Sequence, residues 1–542
     1  MSFAKIVEML LSLPYKFFPR RLSLVLALAS AGLLILAFPD FEYWFLAWFA
    51  LVPVMWAVER EKESVLKSFV VGFCFGTAFF FGTCWWLAYA PIHYAGFWPL
   101  LAYSLVFMAC LGAGVFPGIF TAVISLLFRR FGSWGLLAAP FVWVVSEFAR
   151  YWLTGNDWNA IGYSQAFCSG WTNFLLWTAE YGGVLLSGGV IVLFNVVITL
   201  ILVRLGVAHR SAGRKLEVVC FVSALLFVLC GLSLNGYLIS SRQLSKDSSM
   251  QTVVAIQPNV PMSGLNYLQL ERYRSRQFEM AQSEIDDIPP SVRQRPALVV
   301  LPESPMNFMY NDDREFQQFV REFTTRNNIS VLFNSAEPDR ANGKYFNSAV
   351  MVGPDGNEIA EYDKIYLLPF GEAVPVPLDS IVPGFVGNFS YGREYDLLPV
   401  GDAKAGVMIC FESHFGQLGR RYVQDGADLI IEMTNDGYLG PTPVLRQHLA
   451  NAVFRAVETN RPVLRVTNVG ITAYINERGQ VLDVASSYQE ATRVWSVAKS
   501  DGSQTFFVKY GDWFAWLCTV VTIALLVMGF RRKSAKTTNM RA

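Results

Sequence analysis

Three residues of different chemistry stand at the ends of strand-like runs, Glu303 and Cys410 after wholly apolar ones and Lys364 after a hairpin strand. Ala297–Leu301 (ALVVL) leads into Pro302-Glu303-Ser304, Ile359–Tyr362 into Asp363-Lys364, and Ala405–Ile409 (AGVMI) into Cys410-Phe411-Glu412. A thiol attacks as the thiolate, and at its ordinary pKa it needs a base. A carboxyl raised by burial can take that proton. Glu303, between apolar strand residues and Pro305, has the setting for it. An ammonium such as Lys364 favours the thiolate, then the oxyanion of a tetrahedral intermediate. The chemistry the three could do together is covalent, in two half-reactions through a thioester.

Each residue also has an ordinary reading: a solvated strand-end carboxylate, a surface lysine, a buried inert thiol. Cys410 is the single cysteine of residues 240–510; Cys74, Cys84, Cys110, Cys220, Cys230 and Cys518 fall in apolar runs and Cys168 in a short loop. A solitary thiol in an oxidising compartment stands out. His414 lies four residues on, but that spacing faces one way only along a helix, and a strand-to-helix turn intervenes. His414 and His448 are the segment's two histidines, and no Cys/His cluster has metal spacing. Neither metal nor cofactor is expected.

The elements that must position these residues alternate. Gln251–Ile256, Ile329–Phe333, Phe346–Val352, Leu429–Glu432, Val463–Thr467 and Thr472–Asn476 read as further strands. Leu268–Ile285, Phe316–Asn327, Phe415–Asp425 and Leu445–Thr459 read as helices. Pro354-Asp355-Gly356 is a hairpin turn signal. The pattern predicts an α/β domain, a mixed sheet covered by helices, with its site beyond the strand ends.

The rest of the 542 residues differ in kind. Overall, 53% are hydrophobic and 16% charged, well under the quarter usual for soluble domains. Eight apolar runs read as membrane spans: Leu22–Phe38, Tyr43–Val58, Ser68–Ala90, Gly96–Phe128, Trp134–Leu153, Gly183–Val203, Glu217–Ile239 and Trp513–Phe530. Gly96–Phe128 is taken as one long span bent at Pro117. Lys and Arg collect in every second loop, as at Arg20-Arg21, Arg60 to Lys67, Arg129-Arg130, Arg204 to Lys215 and Arg531 to Lys536. Loops 39–42, 91–95 and 154–182 have none. Basic loops stay in the cytoplasm. The domains expected are a cytoplasmic segment 1–21, a seven-span membrane domain 22–239, an extracytoplasmic catalytic domain 240–510, a last span 511–530 and a cytoplasmic tail 531–542. No cleavable signal pattern is read. Ile6–Phe18 is amphipathic enough to lie on the inner surface. A net charge of +1 gives no field for nucleic acid.

Val299–Pro305 (VVLPESP), Tyr362–Glu372 (YDKIYLLPFGE) and Val407–Glu412 (VMICFE) resemble the three catalytic motifs of the nitrilase (carbon-nitrogen hydrolase) superfamily. With the flanking spans, and with Val144–Arg150 (VVSEFAR) before Gly162-Tyr163-Ser164-Gln165, the chain resembles the bacterial apolipoprotein N-acyltransferase family nearly end to end. The resemblance implies an αββα sandwich on the outer side of the bacterial inner membrane. It implies Glu303 as base, Lys364 as oxyanion stabiliser and Cys410 as nucleophile, with Glu372 and Glu412 in support. The acyl donor would be a phospholipid such as phosphatidylethanolamine, and the acceptor the α-amine of diacylglyceryl-cysteine on an apolipoprotein. The sequence departs from the family at Phe411 (usually Tyr), at Tyr438 (usually Trp), near Tyr267 (no matching Trp) and near Ser380 (no Arg). Tyr438 and Tyr267 are read as substrate contacts.

Glu147 and Arg150 fall within the fifth span, where ionisable residues are functional candidates. One reading has them on a lipid head group, the other as a self-paired couple. Two other functions stay open: a membrane-anchored amidase using the same three residues, and a transporter with an accessory domain. Against the transporter, no internal repeat is evident.

Overall fold

A computed structural model describes residues 18–168, 173–207, 250–288, 297–304, 308–374 and 389–531. Glu217–Ile239, almost all of Ile6–Phe18, Pro305, Ser380 and the tail beyond 531 lie outside the described residues. The chain forms two compact units, residues 1–241 with 512–542, and residues 242–511.

In the first unit, the helices are α1 (Arg21–Ala37), α2 (Val52–Glu61), α3 (Val65–Cys84), α4 (Pro99–Phe131), α5 (Ala139–Thr154) and α6 (Ala179–Val207). Among the described residues, four helical stretches are long and apolar enough to cross a membrane: Val65–His93, Pro99–Thr154, Ala179–Val203 and Trp513–Arg531. α1 is a shorter apolar helix of 17 residues. The run Tyr43–Val58, expected as one span, is a 3₁₀ turn at Trp44–Trp48 followed by the ten-residue α2. Pro53 lacks the N–H to continue a helix and sits in the first turn of a new one. The backbone freed by the break is satisfied by side chains from distant helices. Asn195 accepts from Leu51 N (2.8 Å) and donates to Ala47 O (2.9 Å), while Gln165 donates to Trp44 O (3.1 Å). Without water, only such partners make broken backbone tolerable.

The run Gly96–Phe128 is one continuous helix from Pro99 on, within the 33-residue α4, which contains Pro117. α3 and α4 pack through small residues. A Cβ on Gly72 would overlap Thr121 and the Pro117 carbonyl, and one on Gly114 would lie 3.0 Å from the Phe73 carbonyl. This close approach brings Thr121 Oγ1 within 2.7 Å of Ser68 O, a hydrogen bond between the helices.

The second unit holds twelve described strands in two six-stranded sheets. The first has the order β12-β1-β2-β3-β4-β5, with β1 (Met250–Gln257), β2 (Ala297–Val300), β3 (Ser330–Asp339), β4 (Lys344–Val352), β5 (Glu358–Asp363) and β12 (Ala491–Ala498). The second runs β11-β10-β9-β8-β7-β6, with β6 (Leu397–Val400), β7 (Ala403–Ile409), β8 (Leu429–Thr434), β9 (Val463–Thr467), β10 (Ala473–Ile475) and β11 (Val481–Leu482). Each has three parallel central strands with antiparallel neighbours outside. α7 (Tyr267–Asp287) and α8 (Arg314–Asn327) cover the first sheet; α9 (Gly416–Gln424) and α10 (Val444–Thr459) cover the second. β1 packs against β9, so two sheets lie between helical layers where the residue pattern alone predicted one mixed sheet. Every residue of β8 and β9 is buried, which explains why they are apolar apart from the paired Glu432 and Arg465 and a terminal Thr on each.

Candidate active site

The three strand ends converge. Glu303 follows β2, Lys364 follows β5 and Cys410 follows β7. Lys364 Nζ lies 3.7 Å from Glu303 Oε1 and 2.8 Å from both Glu372 oxygens. The charges of Glu303, Lys364 and Glu372 all act on the Cys410 thiol. Glu303 and Lys364 are buried, and Cys410 is partly exposed.

Electrostatics sets the resting protons. Burial pushes Glu303 above the usual carboxyl range; Lys364 pulls it down and Glu372 pushes it up again. Burial and the Glu303 charge hold the Cys410 thiol well above its ordinary value, against the pull of Lys364. Burial alone would lower Lys364, but Glu372 and Glu303 outweigh it and keep the ammonium charged. The arrangement therefore holds the thiol neutral, beside a carboxyl raised toward the range where it can take a proton and beside a fixed positive charge.

Asn347, on β4, was not singled out in the sequence. Its Nδ2 donates to Glu303 Oε1 (3.1 Å) and to Glu372 Oε1 (2.6 Å), so one amide spans two carboxylates. Asn334 fixes it, donating to Asn347 Oδ1 (2.6 Å) and accepting from Ser304 N (3.1 Å). Asn435 N, at the end of β8, donates to Glu303 Oε2 (3.1 Å).

Glu412 lies behind this group and is fully buried. It accepts from Tyr362 Oη (2.8 Å), Ile365 N (2.7 Å), Tyr366 N (3.0 Å) and Ile409 N (2.9 Å). It thereby ties the segment after Lys364 to the strand before Cys410. Burial raises its pKa to about 7 despite Lys364 and these bonds.

Cys410 opens a 3₁₀ turn with φ +53°, a left-handed conformation that L-residues adopt at a cost of about 1–2 kcal/mol. Behind it lies a second buried cluster. Arg465 on β9 pairs with Glu432 on β8 and, at 2.8 Å, with Asp436; His448 on α10 meets Asp436 at 2.6 Å and the Cys410 carbonyl at 3.0 Å. Glu432 and Arg465 are register partners, a buried opposite-charge pair inside otherwise apolar strands. That pattern (LIIEMT beside VLRVT) was the available sequence signal.

The remaining candidates are not in this group. Tyr438 and Tyr267 are exposed on the same unit. Phe411, at the position usually Tyr in the family, is buried against His414 and Phe415. Glu147 and Arg150 belong to the other unit and are both buried. Glu147 accepts from Ile161 N (2.8 Å), while Arg150 donates to Asn156 O and Trp158 O (3.2 and 3.1 Å) and lies over the Phe80 ring. The cavity they line measures ≈ 20 Å³, about the room for one water.

Fold and residues together define a nitrilase-like α/β unit carrying a carboxylate, an ammonium and a thiol, joined to a unit of long apolar helices. Residues 269–505 match the carbon-nitrogen hydrolase family, and residues 30–197 match the apolipoprotein N-acyltransferase N-terminal domain. The apolipoprotein N-acyltransferase of Geobacter metallireducens is 30% identical over 95% of this chain and 96% of its own length. Those of Pasteurella multocida (27%, over 93% and 94%) and Thermotoga maritima (28%, over 92% and 92%) are similar end to end. The chain belongs to the apolipoprotein N-acyltransferase family.

Proposed function

We propose that this enzyme moves an acyl chain from a phospholipid to the N-terminal amine of a diacylglyceryl apolipoprotein through a thioester on Cys410. The observation that carries the reading is the meeting of Cys410, Glu303 and Lys364 at three strand ends, in a chain of this family. Glu303 takes the thiol proton as sulfur attacks the sn-1 ester carbonyl. Lys364 stabilises the oxyanion. The C–O bond breaks, Glu303 returns the proton to the departing lysophospholipid oxygen, and the thioester remains. The acceptor amine then attacks the thioester, Glu303 takes its proton, and the C–S bond breaks to regenerate the thiol.

In this reading Glu372 holds Lys364 in place and Glu412 sets the spacing between Lys364 and the nucleophile. Tyr438 and Tyr267 offer exposed aromatic surface to lipid or lipoprotein. The internal bonding of Glu147 and Arg150, and the size of their cavity, support a role in holding loop 156–161 over head-group binding. The site would face outward from a bacterial inner membrane, with both termini in the cytoplasm.

Incubating the full-length protein with phosphatidylethanolamine and recording intact mass tests the reading. The parent should gain one acyl group and release lysophospholipid, and Cys410→Ala should gain none. An unmodified parent that turns over a soluble amide would replace this reading with the amidase.

A further inference from the structure

The cluster behind the nucleophile has an arrangement that packing alone does not require. Both ring nitrogens of His448 face atoms that only accept. Nδ1 meets Asp436 Oδ1 at 2.6 Å, and Nε2 meets the Cys410 carbonyl at 3.0 Å and Glu432 Oε1 at 3.2 Å. A neutral imidazole would aim a lone pair at one of these oxygens, so this geometry calls for both nitrogens protonated. The charges then close on themselves. Arg465 pairs with Glu432 and Asp436, and His448 pairs with the same two carboxylates. Two cations and two anions sum to zero in a wholly buried square, which is what makes their burial tolerable.

One member of the square reaches out of it, to the carbonyl of the residue whose backbone is left-handed. A peptide in that conformation persists only where its surroundings hold it. Ile409 N, one residue earlier, is held by Glu412, and His448 holds the following carbonyl. The Cys410 peptide is thus gripped from both sides.

Resting on the acyl-transfer reading above, we propose that His448 is a positioning residue for the nucleophile: a buried imidazolium whose Nε2–H holds the Cys410 carbonyl, and with it the turn that presents the thiol to Glu303. The charge is maintained by Asp436 and Glu432, and Arg465 keeps those carboxylates ionised. His448 does not touch the reacting atoms. Its effect reaches the chemistry through the backbone of Cys410.

The test uses the full-length protein in detergent with phosphatidylethanolamine and a synthetic diacylglyceryl-cysteinyl peptide. Glutamine at 448 can still donate to the Cys410 carbonyl; leucine cannot, and asparagine is one methylene too short. His448→Leu should lower kcat about 100-fold, as misplacement of a reacting group by about an ångström does, with KM for phospholipid within about twofold. His448→Gln should recover at least about tenfold of that loss, and iodoacetamide alkylation of Cys410 should slow in the same order. If the leucine variant does not fold, Gln against Asn carries the comparison, with Asn the slower by about tenfold. Equal kcat in Gln and Asn, or a folded leucine variant turning over at the parent rate, overturns the positioning role. Cys410→Ala is run in parallel. If it still transfers acyl groups the thioester reading falls too; if it is inactive while the 448 variants match the parent, only the role of His448 falls.

Discussion

Asn347 shows how much of the site's behaviour rests on one neutral side chain. Its amide lies between Glu303 and Glu372, two carboxylates that share one buried ammonium. Donation from Asn347 favours ionised Glu303. Removing it should raise the Glu303 pKa, and because the reaction needs the carboxylate, the acid limb of kcat/KM should move to higher pH. In Asn347→Leu we expect that movement and a loss of about tenfold at neutral pH, the worth of one hydrogen bond to a charged group. A pH–rate profile with the acid limb unmoved would remove Asn347 from the site's electrostatics. The charge square behind Cys410 gives a second residue-scale prediction. Burial and Arg465 would lower His448, but Asp436 and Glu432 raise it to about 9 from 6.5. Burial would raise Asp436 and Glu432, but Arg465 and His448 hold them below their ordinary values of 3.8 and 4.5. A raised histidine stabilises fully below pH 6.5 and less as pH rises through about 9. The lowered carboxylates stabilise above pH 4.5 and lose that as pH falls through their folded values. The square thus contributes most between about pH 4.5 and 6.5. Between pH 6.5 and 10 the parent's melting temperature should fall further than that of His448→Gln, measured by tryptophan fluorescence.

At the scale of elements, the contact between α3 and α4 is the most exacting. Gly72 faces Thr121 and the Pro117 carbonyl, whereas Gly112, on α4 itself, has open space around it. Gly72→Val should destabilise the first unit by about 1–3 kcal/mol or prevent its accumulation, while Gly112→Val should melt like the parent. Equal melting of the two would mean that the helices can separate without penalty. What the sequence discloses about elements follows from how local their causes are. Buried parallel strands such as β2, β7 and β8 are legible because burial on both faces leaves mostly apolar residues. β12 (ATRVWSVA) is not legible because it is an edge strand with only two of its eight residues, Trp495 and Val497, buried, so its pattern resembles a loop. β6 and β11 are too short to show a period. The break in the second apolar run was illegible for another reason: Asn195 and Gln165, which satisfy it, lie more than a hundred residues away. The convergence of Glu303, Lys364 and Cys410 is legible because each follows the end of a strand. Asn347 and His448 gave no such signal, since their partners depend on which strands pair.

At the scale of the whole molecule, sidedness can be argued from the first unit alone. The broken second run still retraces α1: Tyr43 N bonds Leu36 O, Val54 N bonds Ser30 Oγ, and Glu61 accepts from Ser23 Oγ and Arg20 N. The end of α2 therefore returns to the start of α1. Ser125 Oγ donates to Lys62 O, which brings the last turns of α4, with Arg129 and Arg130, to the same end. In the C-terminal helix Trp513–Arg531, Gly529 packs beside Arg130 and Phe131, so Arg531 arrives there too. Arg20, Arg21, Arg60, Lys62, Arg129, Arg130 and Arg531 thus gather at one end, which the preference of basic residues for the cytoplasmic side predicts to face the cytoplasm. Trp513, at the other end of its helix, bonds Tyr181 O near the start of α6. The chain passes from the second unit into this helix after residue 511. The second unit is therefore predicted to lie outside the cytoplasm. In a Cys410→Ala background, an impermeant maleimide should label Glu394→Cys, exposed before β6, in intact spheroplasts. It should label Glu63→Cys, exposed between α2 and α3, only after permeabilisation. The reverse pattern would put the thiol and its carboxylate on the cytoplasmic face and separate them from any acceptor exported across the membrane.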